Sequence, residues 1–159
     1  MTTLDIRRAA QDDVPTVQRL LHALWLEEHA SGYAPDLDLA WPLTAEAASY
    51  VSGRVLGEGL ALLAFAGSNV AGYLLAGPRS SPHHTAVGLE SMFVVSGLRR
   101  RGIGFALLSA FTTWRRQSGF SLASVAVAPQ NLAAVSLYTR AGFLPTTLIL
   151  EDRTRPTEA

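Results

Sequence analysis

The chain contains no cysteine and no lysine. The first absence excludes disulfides, a thiol nucleophile and cysteine-ligated zinc. The second excludes a phosphate loop of the Gly-Lys-Ser/Thr type. Charge is scarce, at 16% of 159 residues, and it sums to zero. A general nucleic-acid binder carries a net basic surface, so that class is disfavoured. No apolar run approaches the roughly 18 residues of a membrane-spanning helix. The segment Met1 to Arg8 carries no apolar leader, so a soluble cytoplasmic protein is the default expectation.

Apolar residues, by contrast, make up 48% of the chain, enough for one well-buried domain. That domain is expected over residues 1–152, with a polar, frayed tail over 153–159. Leu4 to Ala9 reads as a first strand. Val14, Val17, Leu21, Leu24 and Trp25 recur at helical spacing behind Asp12, Asp13 and Pro15. Thr44 caps a second helix running to Leu56. Leu60–Ala66 and Val70–Ala76 flank Gly67-Ser68-Asn69 as a hairpin. Ala86–Val95 is a further strand, and Ile103, Leu107, Ala110, Phe111 and Trp114 stripe the helix after it. Leu122–Ala128 is a short strand, Asn131 caps a last helix stopped by Gly142, and Phe143–Leu150 is expected as a final strand. The order is β-α-α-β-β-β-α-β-α-β, an α/β (α+β) mixed sheet with helices on both faces.

The chain is organised around Glu90 to Gly104. An apolar strand crosses a short turn holding Gly97 and three arginines, then reaches Gly102-Ile103-Gly104 at a helix start. The first N–H groups of a helix have no intrahelical partner, and the dipole adds partial positive charge, so this junction is an anion cradle. It is not a dinucleotide fingerprint, because Leu107 stands where the third glycine belongs. Arg99-x-x-Gly102-x-Gly104 resembles the Q/R-x-x-G-x-G/A signature of the GNAT superfamily of acetyl-CoA-dependent N-acyltransferases. A second segment, Asn131-x-x-Ala134-x-x-Leu137-Tyr138-x-x-x-Gly142-Phe143, is similar to that family's N-x-x-A-x-x-L-Y-x-x-x-G-F.

The resemblance implies a GNAT fold and a set of roles. Main-chain N–H groups of Arg100, Arg101, Gly102, Ile103, Gly104 and Phe105 would hold the pyrophosphate of coenzyme A, with the side chains of Arg99, Arg100 and Arg101 adding charge. A bulged strand would free main-chain groups at Met92, Phe93 and Val94 for the pantetheine arm, with the N–H of Phe93 or Val94 polarising the thioester carbonyl. Asn131, an N-cap on its spacing alone, would sit near the pantetheine. The Tyr138 hydroxyl is either a satisfied core group or the acid that protonates the departing thiolate.

Glu90 is the only acid between residues 59 and 150. An ammonium has no lone pair, so acetyl transfer to it requires a base, and Glu90 on the central strand fits that task. It fits an exposed sheet-end acid equally well. Trp25, Glu28 and Tyr33 fall where the family lines its acceptor site, and an acidic, aromatic rim suits a cationic amine. His83-His84 lacks a third ligand at metal spacing, so no metal is expected.

The expected function is N-acetyl transfer from acetyl-CoA to a primary amine, small molecule or peptide N-terminus, by direct transfer in a ternary complex. The alternative is a non-catalytic acyl-CoA-binding or docking module on the same fold. The family usually closes its sheet with two antiparallel strands, and only about eight strand residues follow Gly142 here. A last strand supplied by a second subunit, and hence a homodimer, is therefore among the expectations.

Overall fold

The computed structural model describes residues 3–152; the tail expected at 153–159 lies outside them. Five strands form one sheet in the order β1-β2-β3-β4-β5. They are β1 (Leu4–Arg8), β2 (Leu60–Ala66), β3 (Asn69–Arg79), β4 (Ala86–Val94) and β5 (Leu122–Val125). The first four are antiparallel neighbours; β4 and β5 run parallel. The helices are α1 (Val14–Ala30), α2 (Ala45–Leu56), α3 (Ile103–Gln117) and α4 (Leu132–Arg140). Two expected caps close as drawn from sequence: Thr44 Oγ1 accepts from the Ala47 N–H at 3.2 Å, and Asn131 Oδ1 from the Ala134 N–H at 3.2 Å.

Side chains alternate between two cores. Leu60, Leu62, Leu74, Val87 and Leu89 pack against Ile103, Leu107, Leu108 and Phe111 of α3 and Tyr138 of α4. Ala61, Leu63, Tyr73, Leu75 and Phe93 pack on the other face against Val14, Val17 and Leu21 of α1 and Val51 of α2. This period-two division puts α1–α2 and α3–α4 on opposite sides of the sheet.

The final strand expected over Phe143–Leu150 does not form in the described chain. An apolar run becomes a strand only against a ladder partner, and β5 pairs over just four residues, all with β4. Leu144, Leu148, Ile149 and Leu150 accordingly stay 70–85% exposed. Among the described residues, no helix is long and apolar enough to cross a membrane.

Candidate active site

Two features of β4 open a cleft between the last two strands of the sheet. The first is a bulge. Leu75 pairs with Ser91 and Ala76 with Leu89, so Glu90 has no opposite number on β3. One inserted residue breaks the alternation. Leu89 and Met92 face α3, whereas Glu90 reaches α2 and Ser91 sits opposite Leu75 of the α1–α2 core. The second is a splay. Pairing with β5 ends at Leu89 with Val125, so β4 runs on past residue 89 with one edge bare.

The cleft so formed measures about 150 Å³. Its walls are Leu89–Met92 of β4, Val125–Ala128 following β5, Asn131, Ala134 and Tyr138 of the α4 segment, and Leu24, Trp25, Glu28 and Tyr33 from the α1 side. Thus Glu90, Met92, Asn131, Tyr138, Trp25, Glu28 and Tyr33, drawn from three separate stretches of sequence, share one cavity.

Ladder geometry decides which main-chain groups face it. The Val95 N–H donates to Ala71 O at 2.9 Å, so Val95 faces β3. By alternation Phe93 faces β3 too, and Met92 and Val94 face the bare edge. The Arg99 Nε donor at 2.8 Å from Val94 O confirms that this carbonyl points away from β3. Phe93 is therefore not a cleft residue: its main chain serves the ladder and its ring is buried among α1 and α2. The N–H groups open to a ligand are those of Met92 and Val94.

The glycine turn stands at the far end of this bare edge. Gly102 caps α3 with φ +81°, the left-handed region that favours glycine. The Ala106 N–H donates to Gly102 O at 2.9 Å and closes the first turn, leaving the N–H groups of Ile103, Gly104 and Phe105 ahead of it. The Ile103 side chain is core, and the Phe105 ring is 52% exposed. Gly104 has a packing reason of its own. A Cβ there would lie 3.1 Å from Leu137 Cδ2, so the missing side chain lets α4 seat against the start of α3.

The three arginines separate into two kinds. Arg99 is committed: its Nη2 donates to Glu27 Oε2 at 2.7 Å, its Nε to Val94 O, and its guanidinium lies 5.2 Å from the Phe93 ring centre. It ties the turn to α1 and leaves only its remaining N–H groups, Nη1 among them, for another partner. Arg100, at φ +65°, and Arg101 are exposed and pair with no acid among the described residues.

Glu90 is committed in the same way. Arg54 Nε and Nη2 each donate to its carboxylate at 2.7 Å, and the Tyr50 hydroxyl donates at 2.6 Å. Its side chain is only 24% exposed. A guanidinium fork and a phenol thus hold this carboxylate in place and balance its charge. Tyr50 and Arg54 were not singled out from sequence. Their spacing of four on α2 was a signal, and so were Gly59 and Gly77, where a Cβ would come within 2.6 Å of the Arg54 side chain.

Tyr138 is 8% exposed, and its ring stands edge-on to Phe143 at 5.7 Å. Burial, with a smaller contribution from the Glu28 charge, pushes its hydroxyl up to about 12, so it is a proton donor throughout the neutral range. Glu28 is half-buried, and desolvation raises its carboxyl above the ordinary range.

A parallel strand pair that parts beyond Leu89 and Val125, facing a glycine-capped helix end with a buried phenol in the wall, defines an acyl-CoA-dependent acyltransferase frame. The chain belongs to the acetyltransferase (GNAT) family, whose model matches residues 17–143 and whose members draw their acyl group from acetyl-CoA. The uncharacterized N-acetyltransferase YobR of Bacillus subtilis (strain 168) is 36% identical over 58 residues. That match covers 36% of this chain and spans about a quarter (24%) of the relative's length. The aminoglycoside N-acetyltransferase AAC(6')-Iy, solved in complex with CoA, superposes with a TM-score of 0.75 at 20% identity, over 98% of this chain and 97% of that one. A mutant of the BH1408 protein from Bacillus halodurans reaches 0.79 at 19% identity, over 95% and 99%. At such identities the likeness is one of fold.

Proposed function

We propose that this protein transfers the acetyl group of acetyl-CoA to a primary amine by direct attack in a ternary complex. The observation that carries the reading is the parting of β4 and β5 at Leu89 and Val125, which lines up a bare strand edge, a free helix end and the Tyr138 hydroxyl. A diphosphate fits the helix end: three N–H groups precede Ala106, no side chain fills Gly102, and Arg100 and Arg101 flank it. When bound there, acetyl-CoA supplies the thioester.

The residues then have separable tasks. The N–H groups of Met92 and Val94 hold the pantetheine arm and, nearest the acyl end, polarise the carbonyl as negative charge grows on its oxygen. The Asn131 side-chain amide, its oxygen already engaged by Ala134, offers its NH₂ group to the same arm. Tyr138 keeps its proton until a thiolate needs it. Trp25, Tyr33 and Glu28 form the acceptor side of the cleft.

The test is Tyr138→Phe with thiol-release kinetics and calorimetry. Turnover should fall by about 10²-fold, as expected for loss of a general acid, while affinity for coenzyme A stays at the wild-type value. Unchanged turnover removes Tyr138 from the reaction; a wild-type protein that binds no acetyl-CoA removes the function.

A further inference from the structure

Three carboxylates gather around the acceptor side of the cleft, and two are neutralised. Glu27 pairs with Arg99 at 2.7 Å and Glu90 with Arg54 at 2.7 Å. Glu28 makes no side-chain hydrogen bond or ion pair among the described residues, although it is half-buried and lines the cavity. Only Glu28 and Glu90 among the lining residues are acids, and no cation lines it. The groups that face Glu28 are neutral: Tyr33 from the loop after α1, Tyr138 from α4 and Tyr73 from β3, with the Arg54–Glu90 pair across the cavity. Tyr73 Oη lies beside Ser91 Oγ, and the two buried hydroxyls have no hydrogen-bond partner of good geometry among the described residues. Ser91 is part of the cleft wall.

An unpaired carboxylate in a half-dry cavity lacks one positive charge, and an unpartnered hydroxyl beside it lacks one donor. A single ammonium supplies both. Resting on the acetyl-transfer reading above, we propose that Glu28 seats the acceptor's ammonium and takes its proton, and that the acceptor is a monoamine with an apolar or aromatic body lying along Trp25 and Tyr33. Trp25 stacks on Trp41 at 5.2 Å between ring centres, which makes that wall flat and rigid. A polyamine or aminoglycoside would bring further ammonium groups into a cleft that has no second unpaired acid for them.

The proton balance closes. The ammonium gives one proton to Glu28, and the freed nitrogen lone pair forms the C–N bond as the C–S bond breaks. The departing sulfur takes the Tyr138 proton, and the nitrogen's surplus proton restores Tyr138. Glu28 returns its proton to solvent.

The test compares the wild type with Glu28→Gln, Glu28→Asp and Glu90→Gln, using 2-phenylethylamine and spermidine as probes. Thiol release gives rates, and calorimetry on the protein saturated with coenzyme A gives amine binding. 2-Phenylethylamine should be bound and acetylated in preference to spermidine. Glu28→Gln should lose the calorimetric signal for the amine and drop kcat/KM roughly 10²-fold, with coenzyme A affinity intact; Glu28→Asp should recover part of both. The wild-type acid limb of kcat/KM should sit above the ordinary carboxylate range, since burial raises Glu28 and only its ionised form accepts a proton. That limb should persist in Glu90→Gln. In Glu28→Gln it should give way to a rise that continues to the amine's own pKa.

A Glu28→Gln protein with wild-type amine binding and pH profile overturns the proposal. So does preference for spermidine, or failure of 2-phenylethylamine to bind a protein that does take up acetyl-CoA. If acetyl-CoA itself does not bind, the acetyl-transfer reading falls, and this inference falls with it.

Discussion

Removing the Arg54 fork while keeping its stem, as in Arg54→Met, isolates the tie that holds the bulge of β4. Arg54 donates twice to Glu90 at 2.7 Å and Tyr50 once at 2.6 Å, with the Arg54 and Glu90 side chains 25% and 24% exposed. Exposed pairs contribute at most about 1 kcal/mol. Breaking a fully buried pair costs about 3–5 kcal/mol, because the remaining charge is stranded. A bidentate pair one quarter exposed lies between, at about 2 kcal/mol. For a chain of this length that lowers Tm by about 4–8 °C. Methionine keeps the aliphatic stem over the open ground at Gly59 and Gly77, so most of the loss comes from the stranded Glu90 charge. The double variant Arg54→Met/Glu90→Gln removes that charge as well and should recover about 1 kcal/mol relative to additivity. Thermal unfolding by circular dichroism on the four proteins completes the cycle. A single variant with wild-type Tm, or a double variant whose loss is the plain sum of the singles, refutes a structural role for this pair.

Two further outcomes concern the turn before α3. Gly102→Ala meets no neighbouring atom, but its φ of +81° should cost about 1–2 kcal/mol of backbone strain. Thermal unfolding reads that loss, and an unchanged Tm would show that the left-handed cap is not held in solution. Arg100→Ala/Arg101→Ala should weaken acetyl-CoA binding and flatten its salt dependence in calorimetry at two ionic strengths. Arg99→Ala should instead lower Tm, because Arg99 braces Glu27 and Val94. Equal effects on affinity from all three arginines would contradict that division.

Much of the frame was legible in the chain because its cues are local. Thr44 and Asn131 read as caps, Gly102 and Gly142 as helix boundaries, and both glycines do take positive φ. The two motif segments, far apart in sequence, converge where Gly104 admits Leu137. What escaped depends on partners that no local pattern names. For Glu90, nothing in its own stretch shows that Arg54, 36 residues earlier, holds its carboxylate. For Arg99, no local pattern shows that Glu27, 72 residues away, pairs with its guanidinium. The bulge did leave a trace: Glu90 and Ser91 are adjacent polar residues in an otherwise apolar strand, which a strict two-residue period does not allow. Phe143–Leu150 shows the opposite failure, since β-prone residues alone do not make a strand when no edge receives them.

The contact of Leu137 with the vacancy at Gly104 joins two jobs that enzymes often keep apart. Leu137 precedes Tyr138, so the brace that fixes the turn before α3 also sets the depth of the phenol. On the proposed reading, donor affinity and leaving-group chemistry are thereby mechanically linked. A larger residue at 104 should disturb both at once, and variants selected for tighter hold on the donor should drift in turnover too.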